Sequence, residues 1–244
     1  MALNMQIIDS NTMFGIHPTH RLDMSVERLL REMDKYRISA SLTLCTVGVF
    51  HDHNRGNAIT LEAAKAHNRL IPVATINPAM WYGSTADLQA IRGLGFHILK
   101  FFPEEQGWSL KSAAFEKVLE QSASLKMPVI VSVSSSGEST RVRDVAKSYP
   151  APVILGSVSL DTLSEALAVL EKLPTCLIGT HELHAPGALE MLVNRVGAER
   201  VIFGSGAPRR AIASSLAYVA SSELSDDQKS LVLGGNIKRV LEGT

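Results

Sequence analysis

Short runs of apolar residues recur along the chain, separated by polar segments with helical spacing. Most of the runs are continuous, as in Val129-Ile130-Val131, rather than alternating. Continuous runs are typical of parallel strands that are covered on both faces. The pattern predicts strands beginning at Ile7 and spanning 41–46, 71–76, 97–102, 128–133, 152–157, 175–179 and 200–205.

The intervening segments carry helix signals. Ser25 is placed to cap a helix whose apolar positions recur every three to four residues. The predicted helices are 25–36, 62–67, 85–92, 112–124, 140–148, 162–173, 187–196 and 210–220. In the tail, Ser225 caps one more helix, Gly234-Gly235 predicts a break, and 237–241 predicts a closing amphipathic turn.

Eight strand–helix units in 244 residues predict an α/β fold, a (β/α)₈ TIM barrel that forms a single domain over residues 1–244. An open doubly wound sheet is the alternative. No low-complexity linker interrupts the pattern.

Composition adds little to this picture. The chain is 45% hydrophobic, and 24 Lys and Arg residues balance 24 Asp and Glu residues, so a nucleic-acid partner is not indicated. No membrane-length apolar segment or secretory leader is evident, and a cytoplasmic location is expected. Cys45 and Cys176 lie far apart within apolar runs, where buried thiols are expected.

Polar residues follow the predicted strands, and in such barrels the active site lies at the carboxyl ends of the strands. The first predicted strand ends in Asp9 and opens into a polar loop closed by Gly15. The candidate positions at strand ends are Asn11, Met13, Cys45, Asn77, Lys100, Ser132, Ser157, Thr180, His181 and Gly206.

Several motifs, taken in order, resemble the amidohydrolase superfamily, and in particular its amidohydrolase-related family 2. They are Ile8-Asp9 with Gly15, the stretch 69–78, Lys100 with Pro103-Glu104 and Gly107-Trp108, the stretch 201–205, and 233–236. This resemblance runs over nearly the whole chain and implies a (β/α)₈ barrel.

The resemblance also implies a metal site built from a His-x-His pair, two further histidines and an aspartate. The matching positions in this sequence are Asn11, Met13, Ser132, Ser157 and Gly206. These residues are weak ligands for zinc or offer no side chain. We therefore expect no metal and no other cofactor at these positions.

The leading hypothesis is a non-catalytic or divergent homologue that binds a small molecule or a partner at the barrel mouth. The residues expected to contact the ligand are Asn11, Met13, Trp108, Ser132, Ser157 and Arg209. The family resemblance further suggests a homo-oligomer or a complex with a related hydrolase.

An enzyme is the alternative, either a hydrolase or a decarboxylase-like lyase that acts without the family's metal or with a relocated one. Lys100 and His181 are its candidate catalytic residues, with Glu104, Glu105 or Glu182 as an acid or base. A relocated divalent metal would use loop histidines: His17, His20, His51, His53, His181 and His184. A third possibility is an anion held by Arg209 and Arg210 after the last strand.

Overall fold

The computed structural model describes residues 5–18 and 22–243. Its strands are β1 (Ile7–His17), β2 (Leu22–Met24), β3 (Ile38–Cys45), β4 (Leu70–Pro72), β5 (Ala74–Thr75), β6 (Leu99–Phe101), β7 (Val129–Ser132), β8 (Val153–Gly156), β9 (Cys176–Gly179) and β10 (Val201–Ile202). Its helices are α1 (Val26–Lys35), α2 (Thr46–Phe50), α3 (His53–Ala66), α4 (Thr85–Gly93), α5 (Pro103–Gln106), α6 (Ala113–Ser124), α7 (Glu138–Ala146), α8 (Leu160–Lys172), α9 (Ala188–Val196), α10 (Ile212–Ala220), α11 (Asp226–Ser230) and α12 (Asn236–Glu242).

The strands form a closed parallel ring. One arc runs β1-β3-β4 and the other runs β5-β6-β7-β8-β9-β10. The arcs meet at Val73, whose N–H donates to Thr43 O over 3.0 Å, while the next residue, Ala74, bonds to Ile98 O over 3.2 Å. The short strand β2 pairs antiparallel with the end of β1.

Hydrogen bonds between β1 and the chain after β10 close the ring on its other side. Ser10 N–H donates to Phe203 O over 3.1 Å, Gly206 N–H to Asn11 O over 2.9 Å and Met13 N–H to Ala207 O over 2.8 Å. The predicted (β/α)₈ barrel is thus confirmed, with the segment of β4 and β5 counting as one of its eight strands.

The core explains the continuous apolar runs. One set of strand side chains fills the barrel interior, among them Ile8, Leu42, Ile98, Ile130, Ile154 and Ile202. The alternate set packs outward against the helices, as Val129 and Val131 do. Most strand positions on both faces are therefore apolar. Cys45 and Cys176 are free and buried, as expected.

The first strand is longer than predicted. Asp9–Gly15 is not a loop, because β1 continues to His17. The polar side chains are accommodated by hydrogen bonds, since Thr12 Oγ1 lies 2.8 Å from Ser41 Oγ and 3.1 Å from Leu42 O. The register against β3 shifts between Asp9 and Thr12, which is a β-bulge.

Helix α3 also begins earlier than the predicted segment 62–67. Asp52 caps it by accepting from the N–H groups of Asn54 and Arg55. Gly56 in α3 faces Gly48 in α2 so closely that a Cβ at Gly56 would lie 2.1 Å from Gly48 Cα. This contact depends on the absence of both side chains, and helical periodicity does not reveal it.

The predicted break at Gly234-Gly235 is wrong. Residues Leu231–Gly235 form a π-helical turn that connects α11 directly to α12. A Cβ at Gly234 would lie 2.3 Å from Gln6 O, so this glycine serves a close backbone approach rather than a helix end. The predicted cap is confirmed, because Ser225 and Gln228 form a capping box.

In the described part of the chain, none of the helices has the length and apolar character that crossing a membrane requires.

Candidate active site

The residues at the positions implied for the family's metal ligands converge on one small cavity at the carboxyl ends of the strands. Its volume is about 20 Å³, which is room for about one water molecule. Its lining consists of Asn11, Met13, Lys100, Phe102, Glu105, Ser132, Ser157, His181, Glu182, Gly206 and Arg209. Of the eight predicted site residues, all but Trp108 lie here.

Trp108 is placed elsewhere. It packs in the hydrophobic core with Phe101 and Phe115, at ring-centroid distances of 6.4 and 5.2 Å. Its indole N–H donates to Gln106 Oε1 over 2.9 Å. We therefore leave Trp108 out of the proposed site.

Lys100 lies at the base of the cavity and is only 3% exposed. Its Nζ donates to Asn11 Oδ1 and lies 4.8 Å from the centroid of the Phe102 ring. Burial lowers the pKa of Lys100 to about 8, against an opposing effect of Glu105 and with a further lowering by Arg209. A lysine with a lowered pKa is unprotonated near neutral pH more often than an exposed lysine.

Asp9 is a second buried charge at the same site. It is fully buried, and its Oδ1 accepts from Asn11 N–H over 3.1 Å and from Ser205 N–H over 2.9 Å. Among the described residues, its Oδ2 has no hydrogen-bond partner. Burial raises the pKa of Asp9 to about 6, although hydrogen bonds from Ser205 and Asn11 and the charge of Lys100 act in the opposite direction.

Asp9 was predicted as a strand end and as part of the motifs that resemble the family, not as a site residue, and Phe102 was not predicted at the site. Asp9 offered no signal in the strand pattern, because the bulge between Asp9 and Thr12 breaks the alternation that would place Asp9, Asn11 and Met13 on one face. Phe102 offered none either, since an aromatic residue after a strand is usually part of the core.

His181, at the end of the seventh barrel strand, is held in one orientation. Its Nε2 lies 2.9 Å from the backbone N of Ser157. A backbone N–H can only donate, so Nε2 accepts and the neutral ring carries its proton on Nδ1. Burial, with the charges of Lys100 and Arg209, holds the pKa of His181 well below its usual range. Nδ1 has no partner.

Glu182 fixes the two arginines at the rim of the cavity. Its Oε1 accepts from Arg209 over 3.1 Å, and its Oε2 accepts from Arg210 over 3.0 Å at Nε. Arg209 also lies 3.7 Å from Glu105 Oε1. Because carboxylates already occupy both guanidiniums, this pair is poorly suited to hold a free anion.

The side chains around this cavity do not fit a divalent metal. Asn11 Oδ1 accepts from the Lys100 amine, and His181 Nε2 accepts from Ser157. Met13 and Gly206, which line the same cavity, supply a thioether and no side chain, whereas hard divalent cations prefer carboxylate, carbonyl and water oxygens. A charged Lys100 would also repel a cation.

The histidines proposed for a relocated metal are not gathered into a site. Asp52 caps α3, His53 lies near Trp81 at a ring distance of 6.1 Å, and His184 Nε2 lies 3.0 Å from His181 O. Within residues 5–18 and 22–243, no group of three His, Cys, Asp or Glu side chains could hold a metal ion. His17 ends β1, and His20 lies outside the described residues.

Solved structures share this architecture. A 5-carboxyvanillate decarboxylase from Novosphingobium aromaticivorans, complexed with manganese and 4-hydroxy-3-methoxy-5-nitrobenzoic acid, is 14% identical, with a TM-score of 0.78 over 99% of this chain and 97% of that one. A 2,6-dihydroxybenzoate decarboxylase from Rhizobium is 14% identical, with a TM-score of 0.75 over 98% and 99%. At these identities the likeness shows the fold alone.

No curated protein sequence matches the chain significantly. The model of the amidohydrolase family 2 matches residues 47–243, which is most of the chain. This chain therefore belongs to the amidohydrolase family 2.

Proposed function

We propose that the protein is a metal-independent, decarboxylase-like lyase that acts on a small carbonyl compound through an imine on Lys100. This is the enzyme alternative of the sequence analysis. It is favoured over a non-catalytic role because the similar solved structures include decarboxylases and because the mouth contains a buried, oriented set of titratable groups.

The observation that carries the proposal is the buried Lys100 amine in a cavity of about one water. Desolvation and a neighbouring cation are the two means by which a lysine becomes a nucleophile near neutral pH. Burial and Arg209 both lower the pKa of Lys100. The hydrogen bond from Nζ of Lys100 to Oδ1 of Asn11 holds the amine at the cavity.

For a β-keto acid, decarboxylation through an imine needs no cofactor. The Nζ lone pair forms a bond to the ketone carbon, and water leaves to give an iminium. The bond to the carboxylate then breaks, its electron pair moves toward the iminium nitrogen, and carbon dioxide leaves. The enamine takes a proton at carbon, and water releases the ketone and the free amine.

Two residues would assist these steps. Asp9, with an unpartnered Oδ2 and an electrostatic interaction with Lys100, can accept the proton that Lys100 must lose. His181 lines the same cavity with a neutral ring, so it adds no positive charge beside the Lys100 amine.

Borohydride trapping tests the proposal. The protein is incubated with acetoacetate, reduced with borohydride, digested and analysed by mass spectrometry. We expect a reduced adduct on the peptide that contains Lys100, with the mass of an acetone adduct if the carboxylate has been lost.

Lys100→Met should abolish the adduct, whereas Lys238→Met, which removes an exposed lysine, should leave it unchanged. Circular dichroism of both variants establishes that each is folded. A labelling pattern spread over exposed lysines, or no adduct on Lys100 with acetoacetate or simple ketones, would overturn the proposal.

A further inference from the structure

A second, larger cavity adjoins the one that Lys100 lines. Its volume is about 140 Å³, against about 20 Å³ for the inner cavity. The residues that line both cavities are Glu105, Ser132, Ser157, Glu182 and Arg209. A carbonyl compound bound to Lys100 therefore has unequal space on its two sides.

The inner cavity has an apolar wall made by Met13 and Phe102, which both line it. Met13 lies two positions beyond Asn11 on β1, and Phe102 lies two positions beyond Lys100, directly after β6. Because side chains two positions apart on a strand share a face, the thioether and the ring stand next to the Lys100–Asn11 hydrogen bond on the side of the mouth.

This wall is held in place by the barrel core. Met13 and Phe102 are 7% and 3% exposed and belong to the hydrophobic cluster of the barrel interior. The centroid of the Phe102 ring lies 4.8 Å from Lys100 Nζ. Protein interiors are close-packed, so a wall of this kind resists even one additional methylene group.

The outer cavity has the opposite character, because each residue that lines it has a polar side chain. The residues are Glu104, Glu105, Ser132, Ser134, Ser157, Ser159, Glu182 and Arg209. A larger substituent that keeps part of its hydration is accommodated on this side without displacing core side chains.

The space beside the amine limits what can bind there. The carbon that forms a bond to Nζ lies within bonding distance of the amine, so the substituents of that carbon are what must fit into the two cavities. A volume of about 20 Å³ has room for about one water molecule. A methyl group is of similar size, whereas an ethyl group brings a second heavy atom.

We infer that the carbonyl compound is a methyl ketone, bound with its methyl group against Met13 and Phe102 and with its other substituent in the outer cavity. This inference rests on the proposed function and adds the substrate class. Met13 and Phe102 then set the size limit on the inner substituent, and they favour methyl over a polar group of the same size because a polar group would be buried there without a hydrogen bond.

Two isomeric ketones test the inference. The carbonyl carbon of 2-pentanone bears a methyl group, whereas that of 3-pentanone bears two ethyl groups. Each is trapped on Lys100 with cyanoborohydride at equal concentration, and trapping on butylamine in solution corrects for intrinsic reactivity. After this correction, 2-pentanone should label Lys100 at least about tenfold more than 3-pentanone, since one methylene in a tight apolar pocket changes such rates by about tenfold or more.

Met13→Ala removes part of the wall and should lower the ratio of 2-pentanone to 3-pentanone labelling at least about threefold. The ratio cancels any change in the reactivity of Lys100 itself. Phe102→Leu should also lower the ratio and serves if Met13→Ala fails to fold, which circular dichroism reveals. Met191→Ala, at an exposed position in α9, is the matched control and should leave the ratio unchanged.

The outcomes separate the two proposals. If neither acetoacetate nor either pentanone labels Lys100, the imine mechanism fails. If acetoacetate labels Lys100 but 2-pentanone does so no better than 3-pentanone, the imine mechanism stands and the methyl site is refuted. A preference that persists unchanged in folded Met13→Ala and Phe102→Leu would refute the assignment of the size limit to these two residues.

Discussion

The backbone N–H of Ser157 donates to Nε2 of His181 over 2.9 Å, and Ser157 does so from a left-handed conformation with φ of 59°. A non-glycine residue in this region costs on the order of 1 kcal/mol or more. The strain and the oriented histidine therefore come from the same peptide.

Replacing Ser157 with glycine should separate the two effects. The variant keeps the N–H that holds His181 and removes the Cβ responsible for the strain, so we expect the free energy of unfolding to rise by about 1 kcal/mol. Urea denaturation measures it. Ser157→Ala retains the strain and should show no gain; equal stability of the two variants would argue against strain at this position.

Asn11 should control both the position and the charge of Lys100. In Asn11→Ala the buried amine loses its acceptor, and we expect a loss of about 1–3 kcal/mol in unfolding free energy together with a lower midpoint in the pH profile of ketone trapping. Asn11→Asp should move that midpoint upward, because a carboxylate favours the ammonium form. Movement of both midpoints in one direction would contradict this role.

Lys100 should leave a signature in the pH dependence of stability. Its pKa is lowered to about 8 in the fold but is ordinary in the unfolded chain, so between about pH 8 and 10.5 the unfolded state binds more protons. Stability relative to Lys100→Met should therefore rise with pH across this window, by about 3 kcal/mol at most.

Urea unfolding of wild type and Lys100→Met at several pH values gives this difference directly. Comparing the two proteins cancels the titration of tyrosines and cysteines, which the fold also perturbs. Lys238→Met, at an exposed position, should track wild type at every pH. A flat difference between wild type and Lys100→Met would show that Lys100 titrates normally.

The contact between α2 and α3 should be intolerant of a single methyl group. Gly56→Ala would place a Cβ 2.1 Å from Gly48 Cα, and we expect a loss of about 3 kcal/mol or more because backbone must move. Gly93→Ala, in α4 with open space around it, should instead gain about 0.5–1 kcal/mol from helix propensity. Thermal denaturation of both variants tests the contrast.

Much of the fold follows from the sequence because parallel barrel strands are apolar on both faces. The convergence of Asn11, Ser132 and Ser157 follows too, since strand ends in a barrel meet at one rim. The length of β1 does not follow, because Thr12 is polar yet buried and its hydroxyl is satisfied by Ser41 and Leu42. Such pairings arise only once distant strands are side by side.

Trp108 is a second residue whose position could not be predicted from the sequence. Its position after a barrel strand favours a role at the mouth, yet its ring completes an aromatic cluster with Phe101 and Phe115. Nothing local distinguishes a tryptophan that faces a ligand from one that faces the core. The contact between Lys100 Nζ and the Phe102 ring is likewise visible only in three dimensions.

The bulge in β1 makes the candidate active site sensitive to the number of residues in this strand. Three residue steps on β1, from Asp9 to Thr12, match two steps on β3, from Ser41 to Thr43. Deleting Ser10 would restore a regular ladder. It would also move the side chains on one side of the deletion to the opposite face of the strand. Asn11 and Met13, which line the cavity, would then change face relative to Asp9. The number of residues in this part of the strand therefore matters to the site as much as their identity.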